Sequence, residues 1–413
     1  MSAVDQLTLS NGVCILTRTD HRFATAAVSV AIGAGSRHDP AGQGGTLHLL
    51  EHILMSSQVD RADGAEPRPL AEEIELVGGS GNAVTGLELM LLHAQVLPEL
   101  AAQTMAALAS AVARPHVTEE HFEAERKAVL QELAAAASDP CDVVQDAYIR
   151  ELFPGHPLGR PVGGTAAEVQ AASMEQVLGV HRDLLASAPI ALIAVGPLTA
   201  EDVREAVRGT GIDELPRRTA APARLALAPL AASGPVQEWP EEFCWLSIGG
   251  RSPAVDDPGR HAYTVLSHVL GGGSASLLYR RLRHEKGLGY HFQSWNRSYR
   301  DGGSWRVLVG TEPENGPLVL DTVRSCLAEV AAEPDPQRVA TACRQAAFEL
   351  LEEADNPLGQ AIQLARGTYA GDRPWSAAED AAALQAVTAD EVGAAAERLL
   401  RELSVVVRPE ADR

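Results

Sequence analysis

Ten residues near the start of the chain, Thr46-Leu47-His48-Leu49-Leu50-Glu51-His52-Ile53-Leu54-Met55, set three polar groups inside an almost unbroken apolar run. The run has no Gly or Pro and is long enough for a helix, which puts positions 48, 51 and 52 on one side. Leu47, Leu49, Leu50, Ile53 and Leu54 take the rest of the circumference, as in a helix buried nearly all round with one narrow polar stripe. Buried imidazoles and carboxylates are costly unless they are paired or hold a metal. Two histidines at i and i+4 can reach one ion, and a Glu three after the first can hold a water beside it. This H-x-x-E-H order is a zinc signature, but a short one. Core histidines satisfied by backbone carbonyls are the competing reading.

A chain of 413 residues can hold two or more domains with substantial cores. Aromatics make up only 4%, and the aliphatic and Ala-rich remainder suggests much helix packed on sheet. A formal charge of -21 leaves no basic field to track phosphates, which argues against a nucleic-acid partner. Cys14, Cys141, Cys244, Cys326 and Cys343 are scattered and odd in number, so reduced thiols and a cytoplasmic protein are expected. No signal peptide is read at the start and no apolar stretch reaches transmembrane length.

In order, residues 7–19 read as a strand pair around Asn11-Gly12, and residues 26–32 as a second apolar strand before a Gly-containing loop and the metal-type helix. Residues 71–77 read as a short helix, 82–85 with 89–96 as a strand pair, and 97–113 as an Ala-rich helix. Thr118 followed by Glu119 and Glu120 marks a helix start, with a run to about residue 137. On it Phe122, Val129 and Leu133 form the inward stripe. Glu125 and Glu132 lie beside that stripe, and Glu132, between Val129 and Leu133, should be at least partly buried, either in an ion pair or as a third metal ligand. Residues 165–185 read as helix and 190–195 as strand, followed by a stretch rich in Pro, Ala and Arg. The domain reading is therefore 1–212, a linker 213–234, and 235–413.

Beyond the linker the opening pattern recurs. Residues 243–249 form a strand, then a loop leads to Thr264-Val265-Leu266-Ser267-His268-Val269-Leu270, which keeps the apolar positions and the second His of the early run. Thr264 stands for His48 and Ser267 for Glu51, so the second copy of a duplication has lost the metal, and His268 is read as a core histidine. Gly271-Gly272-Gly273-Ser274 then opens a helix carrying Arg280, Arg281 and Arg283, but no phosphate-binding fingerprint accompanies it.

Together these motifs resemble the pitrilysin/insulinase group of zinc peptidases, in particular the short branch that includes mitochondrial processing peptidase and its bacterial relatives. The resemblance rests on Gly35-Ser36-Arg37, His48-Leu49-Leu50-Glu51-His52, Asn82-Ala83-Val84-Thr85 with Glu88, and the helix from Glu125 to Glu132. His156-Pro157-Leu158-Gly159 and the stretch from Gly271 through Arg283 to Tyr290 complete it. It implies an α+β fold of two homologous halves, each a mostly antiparallel sheet covered by helices, forming half of a clamshell peptidase. It also implies Zn2+ held by His48, His52 and Glu132, Glu51 as general base, and Glu125 orienting a ligand. Asn82 and Ala83 would bind substrate as an added strand, with Met55 where the family has an aromatic, and Arg283 and Tyr290 would hold the substrate carbonyl. Four such domains make the family's chamber, so the resemblance implies a homodimer, with a diverged sibling as the other option, and Arg283 and Tyr290 acting on the partner's zinc. The expected activity is endopeptidase cleavage of peptides or unfolded segments, a leader or precursor peptide among them. A non-catalytic peptide-binding or scaffold subunit is the alternative.

Overall fold

The computed structural model describes residues 3–409 apart from 61–63, 65, 217–223, 231–232, 235, 237, 286, 290 and 371–373, and only the backbone of 368–370. In the first half β1 (Asp5–Thr8) and β2 (Cys14–Thr19) form a hairpin. Gly12 sits at its turn with a left-handed φ of 88°, which suits a residue without Cβ. Next come β3 (Ala26–Ile32), α1 (Thr46–Ser56), the short pair β4 (Gln58–Val59) and β5 (Arg68–Pro69), and α2 (Leu70–Leu76). The hairpin β6 (Ser80–Thr85) and β7 (Met90–Val96) is followed by α3 (Ala101–Ala113), α4 (Glu119–Ala137) and α5 (Pro140–Leu152). This half closes with α6 (Ala166–Ala171), α7 (Met174–Ser187), β8 (Ile190–Gly196) and α8 (Ala200–Ala206).

The second half opens with β9 (Cys244–Ser252) and α9 (Arg260–Gly271), then β10 (His291–Ser298) and β11 (Gly303–Thr311). Its helices are α10 (Gly316–Ala332), α11 (Pro336–Glu353), α12 (Pro357–Ala370), α13 (Ala377–Ala386) and α14 (Ala389–Arg401), and β12 (Ser404–Pro409) ends it. Two expectations are corrected. Residues 165–185 are two helices, because the Ser173 hydroxyl accepts from the Gln176 amide and starts a new helix after Ala172. The segment after Gly271-Gly272-Gly273 does not open an ordinary helix but a π-helical turn, Tyr279–Glu285.

The strands make an α+β protein with two main sheets. One has six strands in the order β1-β2-β8-β3-β7-β6, in which only β2 and β8 run parallel. The other has four, β10-β11-β9-β12, all antiparallel. The quartet β6-β7-β3-β8 of the first sheet thus recurs as β10-β11-β9-β12, which supports the duplication read from the sequence.

Two compact units result, and neither is a continuous stretch. One comprises residues 1–133, 161–223 and 353–375, and the other 134–160, 224–352 and 376–413. In the first, one sheet face carries the main core with α1, α3 and α7. The opposite face, with Leu16, Ala27, Ala31, Leu91, Ile193 and Val195, is covered by Ala361, Leu364 and Ala365 of α12. In the second, Trp305, Val307 and Val309 face a core built with α9, α10, α11 and α14. Here α5 takes the place that α12 has in the first unit, with the Tyr148 hydroxyl donating to the Trp305 carbonyl at 2.8 Å. The helix that follows each long helix, α5 after α4 and α12 after α11, therefore packs in the unit built mainly from the other half of the sequence.

Candidate metal centre

Helix α1 is fixed before it begins. The Asp39 carboxylate accepts from the Gly45 amide at 2.8 Å and the Leu47 amide at 2.9 Å, taking up donors that a helix N-terminus leaves unpaired. Gly45 has φ of +80° and a Cβ there would lie 2.2 Å from the Gly163 carbonyl, so the entry accepts only glycine without rearrangement. The preceding loop is pinned by a buried ion pair between Arg37 and Glu88, the latter from the β6–β7 hairpin. Along α1, Leu47, Leu49, Leu50, Ile53 and Leu54 are fully buried, and between Leu47 and Met55 only the expected stripe is polar.

Across from it, α4 starts where the Thr118 hydroxyl accepts from the His121 amide at 3.2 Å. Phe122 and Val129 are fully buried and Leu133 is half-buried, which turns Glu125 and Glu132 toward α1. Glu132 Oε2 lies 3.5 Å from His48 Nε2 and 3.4 Å from His52 Nε2. The two imidazoles meet edge to face with centroids 5.0 Å apart, and one ligand atom from each of His48, His52 and Glu132 falls within 4.8 Å of the others. The expectation that Glu132 is at least partly buried is corrected: 54% of its side chain is exposed. The inward stripe loosens at Leu133, so the carboxylate crosses the rim of the site instead of lying beneath it.

The remaining groups set protonation. Glu125 Oε2 is 3.2 Å from His52 Nδ1, and because a carboxylate only accepts, that nitrogen donates, which in the neutral imidazole leaves the Nε2 lone pair toward Glu132. This hydrogen bond is the main cause that raises the His52 pKa above the ordinary value. His48 is shifted down, first by burial and then by the neighbouring His52. Burial pushes the Glu51 carboxyl up, while the Thr85 hydroxyl, His52 and the Thr85 backbone pull the other way. Neutral His48, a His52 lone pair and an open carboxylate make a donor set of the kind tetrahedral zinc sites with one free position use.

The other expected site residues are distributed as follows. Asn82 and Ala83 lie on β6, the edge strand of the six-stranded sheet, paired on one side only, to His93 and Leu92 of β7. Asn82 is exposed, and its Oδ1 accepts from the Ala83 amide at 2.9 Å. Met55 is half-buried against the core of the first unit. Arg283 belongs to the second unit, exposed and stacked 5.2 Å over the Tyr279 ring; Tyr290 lies outside the described residues. Sequence reasoning missed Asp39, Gly45 and Gly163. A Cβ on Gly163 would stand 2.6 Å from Leu133 Cδ2 and 3.6 Å from His48 Nδ1, so this glycine lets the loop pass over the first imidazole. The Gly163-Gly164 pair was the signal available for it.

A buried H-x-x-E-H helix faced by a Glu-bearing helix, at the edge of a sheet repeated in a second unit, defines a two-unit α+β protein of metallopeptidase type. Residues 14–166 match the family described as insulinase (peptidase family M16), and residues 171–346 match the peptidase M16 inactive domain. A protein of Mycobacterium leprae named as an uncharacterized zinc protease is 30% identical over 80% of this chain and 74% of its own length. An uncharacterized zinc protease of Bacillus subtilis is 25% identical over 79% of this chain and 78% of its own length. Among solved structures, a protease from Helicobacter pylori superposes with a TM-score of 0.83 at 16% identity, covering 99% of this chain and 100% of that one. A putative M16-like peptidase from Alicyclobacillus acidocaldarius gives 0.80 at 18% identity, over 98% and 97%. The chain belongs to the insulinase (M16) family of peptidases.

Proposed function

We propose that this chain is a zinc endopeptidase in which His48, His52 and Glu132 hold the metal. The observation that carries the reading is the meeting of α1 and α4, about eighty positions apart in sequence, within 4.8 Å at a His-His-Glu donor set with Glu51 alongside. Zinc, when bound there, would supply Lewis acidity toward the scissile carbonyl and make a neighbouring water more acidic. Glu51 takes the proton from that water and returns it to the leaving amine nitrogen; its burial, which favours the protonated carboxyl, makes it the stronger base for the uptake step. Glu125 holds His52 in the tautomer that leaves Nε2 free. The unpaired side of β6 offers the substrate backbone an added strand beside the metal helix, with Asn82 and Ala83 in contact and Met55 shaping the pocket wall.

The chain acts as a dimer, preferably of identical copies, with Arg283 and Tyr290 of one chain holding the substrate carbonyl at the other's site; a diverged sibling subunit is the other option. The substrates are peptides or unfolded segments, a leader peptide included. The setting is cytoplasmic, where thiols stay reduced: no two of the five cysteines are joined in a disulfide. No described helix is long and apolar enough to cross a membrane. The alternative of a scaffold subunit is disfavoured because such a subunit has no need of an intact ligand set plus Glu51.

Glu51→Gln is the direct test. The variant should keep stoichiometric zinc and lose cleavage of unstructured peptides, a loss of 100-fold or more being on the order expected for a general base. Unchanged cleavage would remove Glu51 from the mechanism, and a wild-type dimer with bound zinc that cuts no member of a broad peptide library would favour the scaffold reading.

A further inference from the structure

The second unit carries more of the first unit's metal centre than its sequence motif discloses. His268 of α9 stands 216 positions after His52, and Glu349 of α11 stands 217 after Glu132. Glu132 and Glu349 are each the fourteenth residue of their helices, α4 and α11. The distances repeat as well: His268 Nε2 to Glu349 Oε2 is 3.6 Å, against 3.4 Å for His52 to Glu132. So do the environments, with side chains 11% and 58% exposed in the second unit and 17% and 54% in the first.

What differs also follows the repeat. Glu125, which accepts from His52 Nδ1, is answered 217 positions on by buried Ala342, and His268 Nδ1 is buried without a hydrogen-bond partner among the described residues. His48 is answered by Thr264, whose hydroxyl turns back to the Arg260 carbonyl at 3.3 Å, and Glu51 by Ser267, which bonds the Tyr263 carbonyl at 3.1 Å. A histidine with one nitrogen unpaired and the other aimed at a rim carboxylate is costly to keep as core packing alone.

We propose that His268 and Glu349 are the surviving two ligands of a divalent-metal site in the second unit, one side chain short of closure. Position 264 is one helical turn before His268 and on the same face, so an imidazole there stands to His268 as His48 stands to His52. A third donor at 264 closes a His-His-Glu set for zinc or cobalt, without a general base, because Ser267 replaces Glu51.

The test is made in a chain whose first site is removed by His48→Ala and His52→Ala, so that the metal count reports the second unit alone; the zinc content of the unaltered chain tests the proposed function separately. That parent is expected to retain no stoichiometric zinc after dialysis against micromolar zinc and gel filtration. Adding Thr264→His should bring about one zinc per chain, with the visible absorption of tetrahedral cobalt on substitution, and a further Glu349→Gln should abolish both. Affinity should fall about 10–100-fold short of the first site, since no carboxylate supports His268 Nδ1. Thr264→Cys, no larger than threonine, offers a thiolate at the same position and decides the matter if the histidine variant fails to fold. The proposal is overturned if neither variant, folded by circular dichroism, gains metal, or if the gained metal is indifferent to Glu349→Gln.

Discussion

At the scale of single residues, the centre divides into groups that would touch the metal and groups that prepare them. Glu125 prepares His52 by fixing its tautomer. Glu125→Ala should therefore leave the ligand set intact but weaken zinc retention about 10–100-fold in competition with a chelator. Equal retention would make that contact ornamental. His181 shows the same chemistry without the metal: its Nε2 is 2.8 Å from the Val112 carbonyl, and burial holds its pKa below the ordinary value. A folded pKa below the unfolded one means the unfolded chain binds the proton first, so stability is fully present above about pH 6.5 and is lost as pH falls through the folded value. His181→Gln keeps a donor for Val112 and cannot titrate; its denaturation midpoint should fall less between pH 7 and pH 5 than that of the unaltered chain. Parallel curves would show that His181 does not contribute.

The elements of the site were legible in the sequence to unequal degrees, for physical reasons. Helix α1 was announced by its apolar circumference and polar stripe, and α4 by Thr118 and the acidic first turn, because caps and periodicity are local signals. For Glu132 the helix position left an ion pair and a third metal ligand both open, and the family resemblance decided between them, since a Glu on a helix is usually solvated and no local pattern marks one that crosses to another element. The same ambiguity hid Glu349, and with it the reading of His268 as something other than a core histidine. The helix entry was illegible for a different reason: Asp39 caps α1 from six positions before Gly45, and what forbids a Cβ at Gly45 is the Gly163 carbonyl, far away in sequence. Gly45→Ala places a side chain at φ +80° against that carbonyl and should destabilise the first unit by about 1–3 kcal/mol. Because α1 must shift to relieve it, zinc retention should fall along with the melting temperature. A stable variant with full zinc would mean that the loop gives way instead.

At the scale of the whole molecule, the contiguous reading of residues 1–212 and 235–413 and the packing of the chain part company. Local patterns find strands and helices, but which sheet a helix covers depends on a connection that carries no periodic signature. In the first unit the sheet face of Leu16, Ala27, Ala31, Leu91, Ile193 and Val195 is closed by α12, which arrives more than 150 positions after β8. A fragment ending at residue 212 keeps all three metal-centre ligands yet leaves that face bare, an apolar patch of the kind that drives association. The fragment should self-associate and bind a hydrophobic dye, while the full chain does neither to the same extent. Adding a synthetic peptide of residues 353–375 in trans should reduce the dye signal and restore cooperative unfolding, since the contacts of Ala361, Leu364 and Ala365 do not depend on chain connectivity. A monodisperse, cooperatively melting 1–212 fragment would show that the first unit is complete without α12, and that the exchange of α5 and α12 ties the two halves of the sequence together without being needed to fold either.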